Sequence, residues 1–194
     1  MLHPDDPRAA LRAALDPDPE LETGSGDRLA AILAPLIEAP EPALLFTVRA
    51  SGLSRHAGEI SFPGGLQDPG ESLEQTALRE SFEEIGLTGA EVLGALPSVH
   101  TFVSGILMVP FVGILDEPPV LAVSAGEIAE VLTFSLLRLA DAEATVEHER
   151  EGGRTWRGWA YELDGHTVWG ATGFVLHTLL DVVRKETSWL SKAQ

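Results

Sequence analysis

The chain has 194 residues, no cysteine and a formal net charge of -17. That length suits one domain with a sizeable core, and a hydrophobic share of 44% argues against wholesale disorder. The charge repels a nucleic-acid backbone, the missing thiols exclude disulfides, thiolate metal sites and a cysteine nucleophile, and no apolar run approaches the roughly 18 residues of a membrane span.

A basic region followed by an apolar core is absent from the N-terminus, so a cytoplasmic protein is expected, with neither membrane nor nucleic acid as partner. The same negative field repels anionic small molecules. Phosphate chemistry here would therefore need local cations, supplied by metal ions and by Arg49, Arg55 and Arg79.

Taken in order, residues 7–15 suit a short helix, and an acidic, proline-bearing stretch follows to residue 22. Residues 27–37 read as an amphipathic helix with Leu29, Ile32, Leu33 and Leu36 facing inward and Pro35 bending the last turn. Residues 38–42 are a linker by composition. Residues 1–40 are thus expected to form a helical N-terminal extension, in front of a main domain at 41–194.

Residues 43–49 are a mostly apolar strand, followed by a basic loop and a short strand at 59–62. A turn-rich loop and a helix come next. Strands at 91–99 and 106–115, a turn at 116–119, a strand at 127–134 and a short helix at 135–140 continue the chain. Residues 145–149 and 155–162 flank Gly152-Gly153 as a hairpin. Residues 172–185 form a closing helix that buries Phe174, Val175, Leu179 and Val182 or Val183. The succession is an α+β layout, with a mixed sheet packed between helices.

The stretch from Gly64 to Leu87 carries the chemistry. Ser72 and Gln75 form a capping box at the start of its helix, and Gly86 suits the left-handed residue that closes one. Leu78, Phe82 and Ile85 fall at i, i+4 and i+7 and offer a face to bury. Glu80, Glu83 and Glu84 crowd together at i, i+3 and i+4, near the negative end of the helix dipole. Like-charge and dipole terms together disfavour that arrangement by on the order of 2 kcal/mol. Arg79 offsets part of it and can hold a carboxylate in one orientation. The remaining imbalance points to a missing cation, and an all-oxygen ligand set suits Mg²⁺ or Mn²⁺ better than zinc.

The full spacing is Gly65-x5-Glu71-x7-Arg79-Glu80-x2-Glu83-Glu84-x-Gly86-Leu87, eight specified positions. It resembles the Nudix box of the Nudix hydrolases, and departs from it at Ser81, where the family usually has an aliphatic residue. The resemblance implies an α/β/α sandwich in which Glu80, Glu83, Glu84 and the Gly65 carbonyl hold Mg²⁺ or Mn²⁺. It also implies a catalytic set of Glu83, Arg79 and Glu80, joined by Glu127, which sits where several Nudix enzymes place an extra acid. Glu130 stands beside it as a second such acid.

Upstream lie Leu44-Leu45-Phe46-Thr47-Val48-Arg49-Ala50, then Arg55-His56-Ala57-Gly58, then Phe62-Pro63-Gly64-Gly65. Physically this places two guanidinium groups just before the acidic helix, where they can fork onto phosphate oxygens. The stretch looks like the signature of the coenzyme A pyrophosphatase branch, which implies substrate binding by Arg49, Arg55, Gly58 and Gly64. In that pattern a second arginine occupies the slot held here by Ser54, with Arg55 its neighbour. Trp169-Gly170-Ala171-Thr172-Gly173 is also similar to that branch, with core packing as its expected job.

The branch implies hydrolysis of coenzyme A or its derivatives to 3′,5′-ADP and 4′-phosphopantetheine. Another nucleoside diphosphate derivative, such as ADP-ribose or a dinucleotide, is the alternative within the class. A non-catalytic nucleotide sensor is the alternative outside it, and the intact set of strained acids argues against that. A small nucleotide is therefore the expected partner, and the sequence leaves room for a homodimer. His100, His148, His166 and His177 lack partners at metal-binding spacing, and Gly24-Ser25-Gly26 lacks the third glycine of a dinucleotide loop. No P-loop, serine elbow or zinc-protease helix is present.

Overall fold

A computed structural model describes residues 6–24, 27–50, 58–101, 105–149 and 155–191. The elements run α1 (Pro7–Ala14), β1 (Arg28–Ile37), β2 (Ala43–Arg49), β3 (Ile60–Ser61), β4 (Gly64–Leu66), α2 (Leu73–Ile85), β5 (Glu91–Ala95) and β6 (Val99–Thr101). They continue with β7 (Ile106–Leu115), β8 (Ile128–Ser135), α3 (Leu136–Ala142), β9 (Glu143–Glu149), β10 (Thr155–Leu163), β11 (His166–Val168) and α4 (Gly170–Glu186). The main sheet has the order β3-β2-β1-β7-β5, with β4 on β1, β6 on β7 and β8 on β2. β1 and β7 are parallel and the other pairs antiparallel, so the sheet is mixed as expected.

The segment expected to be an amphipathic helix is β1, the central strand. Ile32, Ala34 and Leu36 join the core under α1 and α4, while Ala31 and Leu33 join the core under α2. A strand buried on both faces is apolar at every position, and such a run lacks the alternation that would distinguish it from a helix. Residues 28–37 therefore belong to the sheet rather than to a helical extension. α1 does form where a short helix was expected. It buries Leu11 and Leu15, and Arg8 pairs with Glu38, Glu91 and Asp116 to hold it against the sheet.

Pro35 in a central strand needs a reason, because proline removes a ladder hydrogen bond. β1 pairs with β4 at Ala30 to Ile32 and with β2 only at Leu36 and Ile37, so the strands splay apart between those contacts. Leu33 N–H points into that interval and bonds Pro63 O at 2.9 Å. Residue 35, two positions on, faces the same gap. The proline sits where no partner strand exists. The resulting wedge, with β4 on one lip and β2, β3 and β8 on the other, is what positions the site.

α2 begins with its capping box, Gln75 N to Ser72 Oγ at 3.1 Å and Ser72 N to Gln75 Oε1 at 2.8 Å, and ends at Gly86 with φ 67°. Its buried face differs from the expected one. Thr76, Ala77, Ser81, Glu84 and Ile85 are buried, whereas Leu78 is only partly covered and Phe82 is 59% exposed. The small Ala77 and Ser81 let the helix approach the sheet, and Ser81 Oγ satisfies itself on Ala77 O at 2.7 Å. On α4, Val175, Leu179 and Val183 are buried as expected, Val182 only partly, and Phe174 is displaced to the surface.

Candidate active site

Four segments converge on the C-terminal half of α2. Gly64 N–H donates to Glu84 Oε2 at 3.2 Å, tying the β4 loop to the helix. A Cβ on Gly65 would lie 2.4 Å from the Glu80 carboxyl carbon, so glycine there is what lets Glu80 approach the backbone. Ala122 N bonds Ile85 O and Ser124 N bonds Glu84 O, each at 2.8 Å, capping two of the helix's terminal carbonyls. Glu127 N then bonds Ser124 O at 3.0 Å, and Ala50 N bonds Glu127 O at 2.8 Å. That chain of bonds sets the Glu127 backbone next to the end of β2, where Arg49 lies.

Arg79 organises the other acids. Its Nε donates to Glu71 Oε1 at 2.7 Å, its Nη1 to Glu80 at 2.8 Å and to Glu83 at 3.1 Å, and its Nη2 to Leu66 O at 3.2 Å. Thr76 Oγ1 also donates to Glu71, at 3.0 Å. The guanidinium holds the Glu71 carboxyl below its usual range, chiefly through that hydrogen bond. Sequence reading placed Glu71 in the motif without a role. It is the anchor of Arg79, and only the loop's path across the helix shows this.

Glu84 is the exceptional member. Its exposure is 5%, against 55% for the Glu83 side chain, so of the two neighbouring acids only Glu84 is buried. Burial pushes its carboxyl up to about 7, while the Gly64 N–H and Arg49 pull it down and Glu80 and Glu127 push it further up. Two anions and a buried carboxyl in one corner form a set short of positive charge. Oxygen donors in this state suit a hard divalent cation. Among the described residues no three acidic or histidine side chains form a ready-made cage, and Glu80 and Glu83 are instead turned toward Arg79.

Arg49 lies on the wedge's β2 lip, and its buried Nε has no hydrogen-bond partner among the described residues. Gly58 N bonds Arg49 O at 3.0 Å, so Gly58 closes the hairpin that starts at Arg49. Arg55 and Ser54 lie outside the described residues. Glu130 pairs with Val48 in the β2–β8 ladder. His177 has a structural partner, Glu143, 2.9 Å from its Nδ1. A groove of about 440 Å³ beside Leu78, Phe82 and Leu87 touches Arg79 but none of the acids, and plays no part in this site.

The family model described as NUDIX domain matches residues 27–156, which span β1, the β4 loop, the whole acidic helix and Glu127. The chain belongs to the Nudix hydrolase family. This Nudix hydrolase is 34% identical over 175 residues to the uncharacterized Nudix hydrolase NudL of Photorhabdus laumondii, covering 87% of this chain and 91% of that protein. It is 37% identical over 162 residues to the NudL protein of Escherichia coli O7:K1, covering 78% and 81% of the two chains. The crystal structure of a MutT/nudix family protein from Enterococcus faecalis shares its fold, with a TM-score of 0.55 and 20% identity over 86% of this chain and 64% of that one. As a Nudix hydrolase the protein acts on a nucleoside diphosphate derivative. No helix among its described residues is long and apolar enough to cross a membrane.

Proposed function

We propose that this Nudix hydrolase cleaves the diphosphate bond of coenzyme A or its derivatives, giving 3′,5′-ADP and 4′-phosphopantetheine, with Mg²⁺ or Mn²⁺ bound. The observation that carries the phosphate reading is the buried Nε of Arg49 beside the Glu84 corner, a donor atom without an acceptor among the described residues. Resemblance of residues 44–65 to the coenzyme A branch supports the finer assignment.

Glu84, Glu80, Glu83 and the Gly65 carbonyl are the groups to hold the metal. A divalent cation bound there neutralises phosphate oxygens and lowers the pKa of the attacking water. Arg49 donates to a diphosphate oxygen, and Arg79 keeps Glu80 and Glu83 oriented through its anchor on Glu71. One carboxylate among Glu80, Glu83, Glu84 and Glu127 takes the proton from water, and the coupling among them makes it a property of the set.

Chromatography of products from coenzyme A, with and without Mg²⁺, tests the proposal. Metal-dependent appearance of 3′,5′-ADP is the expected result. Faster turnover of ADP-ribose than of coenzyme A would remove the substrate assignment and leave the reaction class.

A further inference from the structure

We propose that Thr76 is a positioning residue for this site, whose hydroxyl clamps Glu71 so that Arg79 stays on Glu71 when Glu80 and Glu83 turn to a bound cation. The proposal deepens the preceding reading and rests on it, taking Glu80 and Glu83 as metal ligands.

Arg79 spreads one guanidinium over three carboxylates. Its Nε and Nη2 grip Glu71 at 2.7 and 3.2 Å, while Nη1 alone serves Glu80 and Glu83, at 2.8 and 3.1 Å. An oxygen that accepts from a guanidinium is a poor ligand for a second cation beside it, because the two positive charges repel. Full ligation by Glu80 and Glu83 therefore loosens the Nη1 side. What then keeps Arg79 in place is Glu71, together with the Leu66 carbonyl.

Glu71 belongs to the loop before α2, so its own position has to be fixed against the helix. Its backbone is fastened within the loop, where Gln67 Nε2 donates to Glu71 O at 2.7 Å and Glu71 N donates to Asp68 O at 3.2 Å. Its carboxylate meets the helix at residue 79 and, three residues earlier, at residue 76. Thr76 Oγ1 lies 3.0 Å from Glu71 Oε2 and 3.2 Å from Ser72 O. One hydroxyl proton faces two acceptors. Ser72 O already accepts from Thr76 N at 3.0 Å, and the carboxylate is both the nearer and the charged acceptor, so the proton goes to Glu71. Thr76 is fully buried, which shields that bond from water. Alanine in its place would favour the helix and lose the bond, so the hydroxyl is what threonine adds here.

The test compares the full-length wild type with Thr76→Val and Thr76→Ser. Valine keeps the branched shape without the hydroxyl, and serine keeps the hydroxyl without the branch. In chelator, nitrogen-15 NMR follows the Arg79 Nε–H, assigned by its loss in Arg79→Lys. Its exchange with water is expected to be slow in wild type and Thr76→Ser and about 3–10-fold faster in Thr76→Val. Mn²⁺ binding without substrate, read from the EPR signal of the free ion, should weaken by a similar factor in Thr76→Val and recover in Thr76→Ser. Equal Nε–H exchange in wild type and Thr76→Val overturns the proposal. A loss of Mn²⁺ affinity that serine fails to restore also overturns it, in favour of a packing role. A wild type that binds no Mn²⁺ would remove the metal reading, while the exchange comparison, made without metal, still decides whether Thr76 holds Arg79 through Glu71.

Discussion

Glu84 combines burial with a raised pKa, and its chemistry follows from both. Its carboxyl, pushed to about 7 by burial, binds a proton in the folded protein at pH values where the unfolded chain has already released it. Metal-free protein should therefore lose stability as pH rises from about 5 to about 7, by on the order of 2–3 kcal/mol. Glu84→Gln keeps an acceptor for the Gly64 N–H and removes that penalty. We expect its melting temperature in chelator to exceed wild type at pH 8 and to match it at pH 5. A variant destabilised at pH 8 would contradict the burial argument. With Mg²⁺ present, the same substitution should lower kcat at least about 10–100-fold, the loss that even an outer partner of a metal ligand produces.

At the level of elements, the loop before α2 and the helix act together through Glu71 and Arg79. Glu71 accepts from Arg79 and from Thr76, so removing its charge frees the guanidinium to engage Glu80 and Glu83 more fully. Glu71→Gln should reduce activity, or weaken the apparent Mg²⁺ affinity, about 10–100-fold while the helix stays folded. A Mg²⁺ titration of kcat alongside far-UV circular dichroism checks this. An unchanged titration curve would show that Arg79 needs no anchor.

Across the whole molecule, Glu143 links the three-stranded sheet of β9, β10 and β11 to α4. It accepts from Tyr161 Oη at 2.7 Å and Arg184 Nη2 at 2.6 Å, and lies 2.9 Å from His177 Nδ1. Burial alone would raise its pKa, but the bonds to His177, Tyr161 and Arg184 outweigh burial and lower it. Its stabilisation is present at neutral pH and is lost as pH falls below the ordinary carboxylate value. Glu143→Gln should cost about 1–2 kcal/mol at pH 7, by urea denaturation, with the gap closing at acid pH. A gap that is independent of pH would assign the effect to packing.

Local chemistry made much of this protein readable from its sequence. Ser72, Gln75 and Gly86 delimit α2 through bonds that close within a few residues, and the acids of α2 share a face because helical geometry requires it. Tertiary structure decided the rest. Residues 28–37 are apolar at nearly every position, which suits a buried helix or a central strand equally, and only pairing with β7, β4 and β2 resolves them. The rotation of α2, which buries Glu84 and leaves Phe82 at the surface, depends on how closely Ala77 and Ser81 approach the sheet. The convergence of Arg49, Gly64, Glu84 and Glu127 depends on the wedge between β1 and β2, which brings together residues 15 to 78 positions apart in the chain. Periodicity reports which residues share a face. It carries no information about which faces meet, because that is set by contacts between segments remote in sequence.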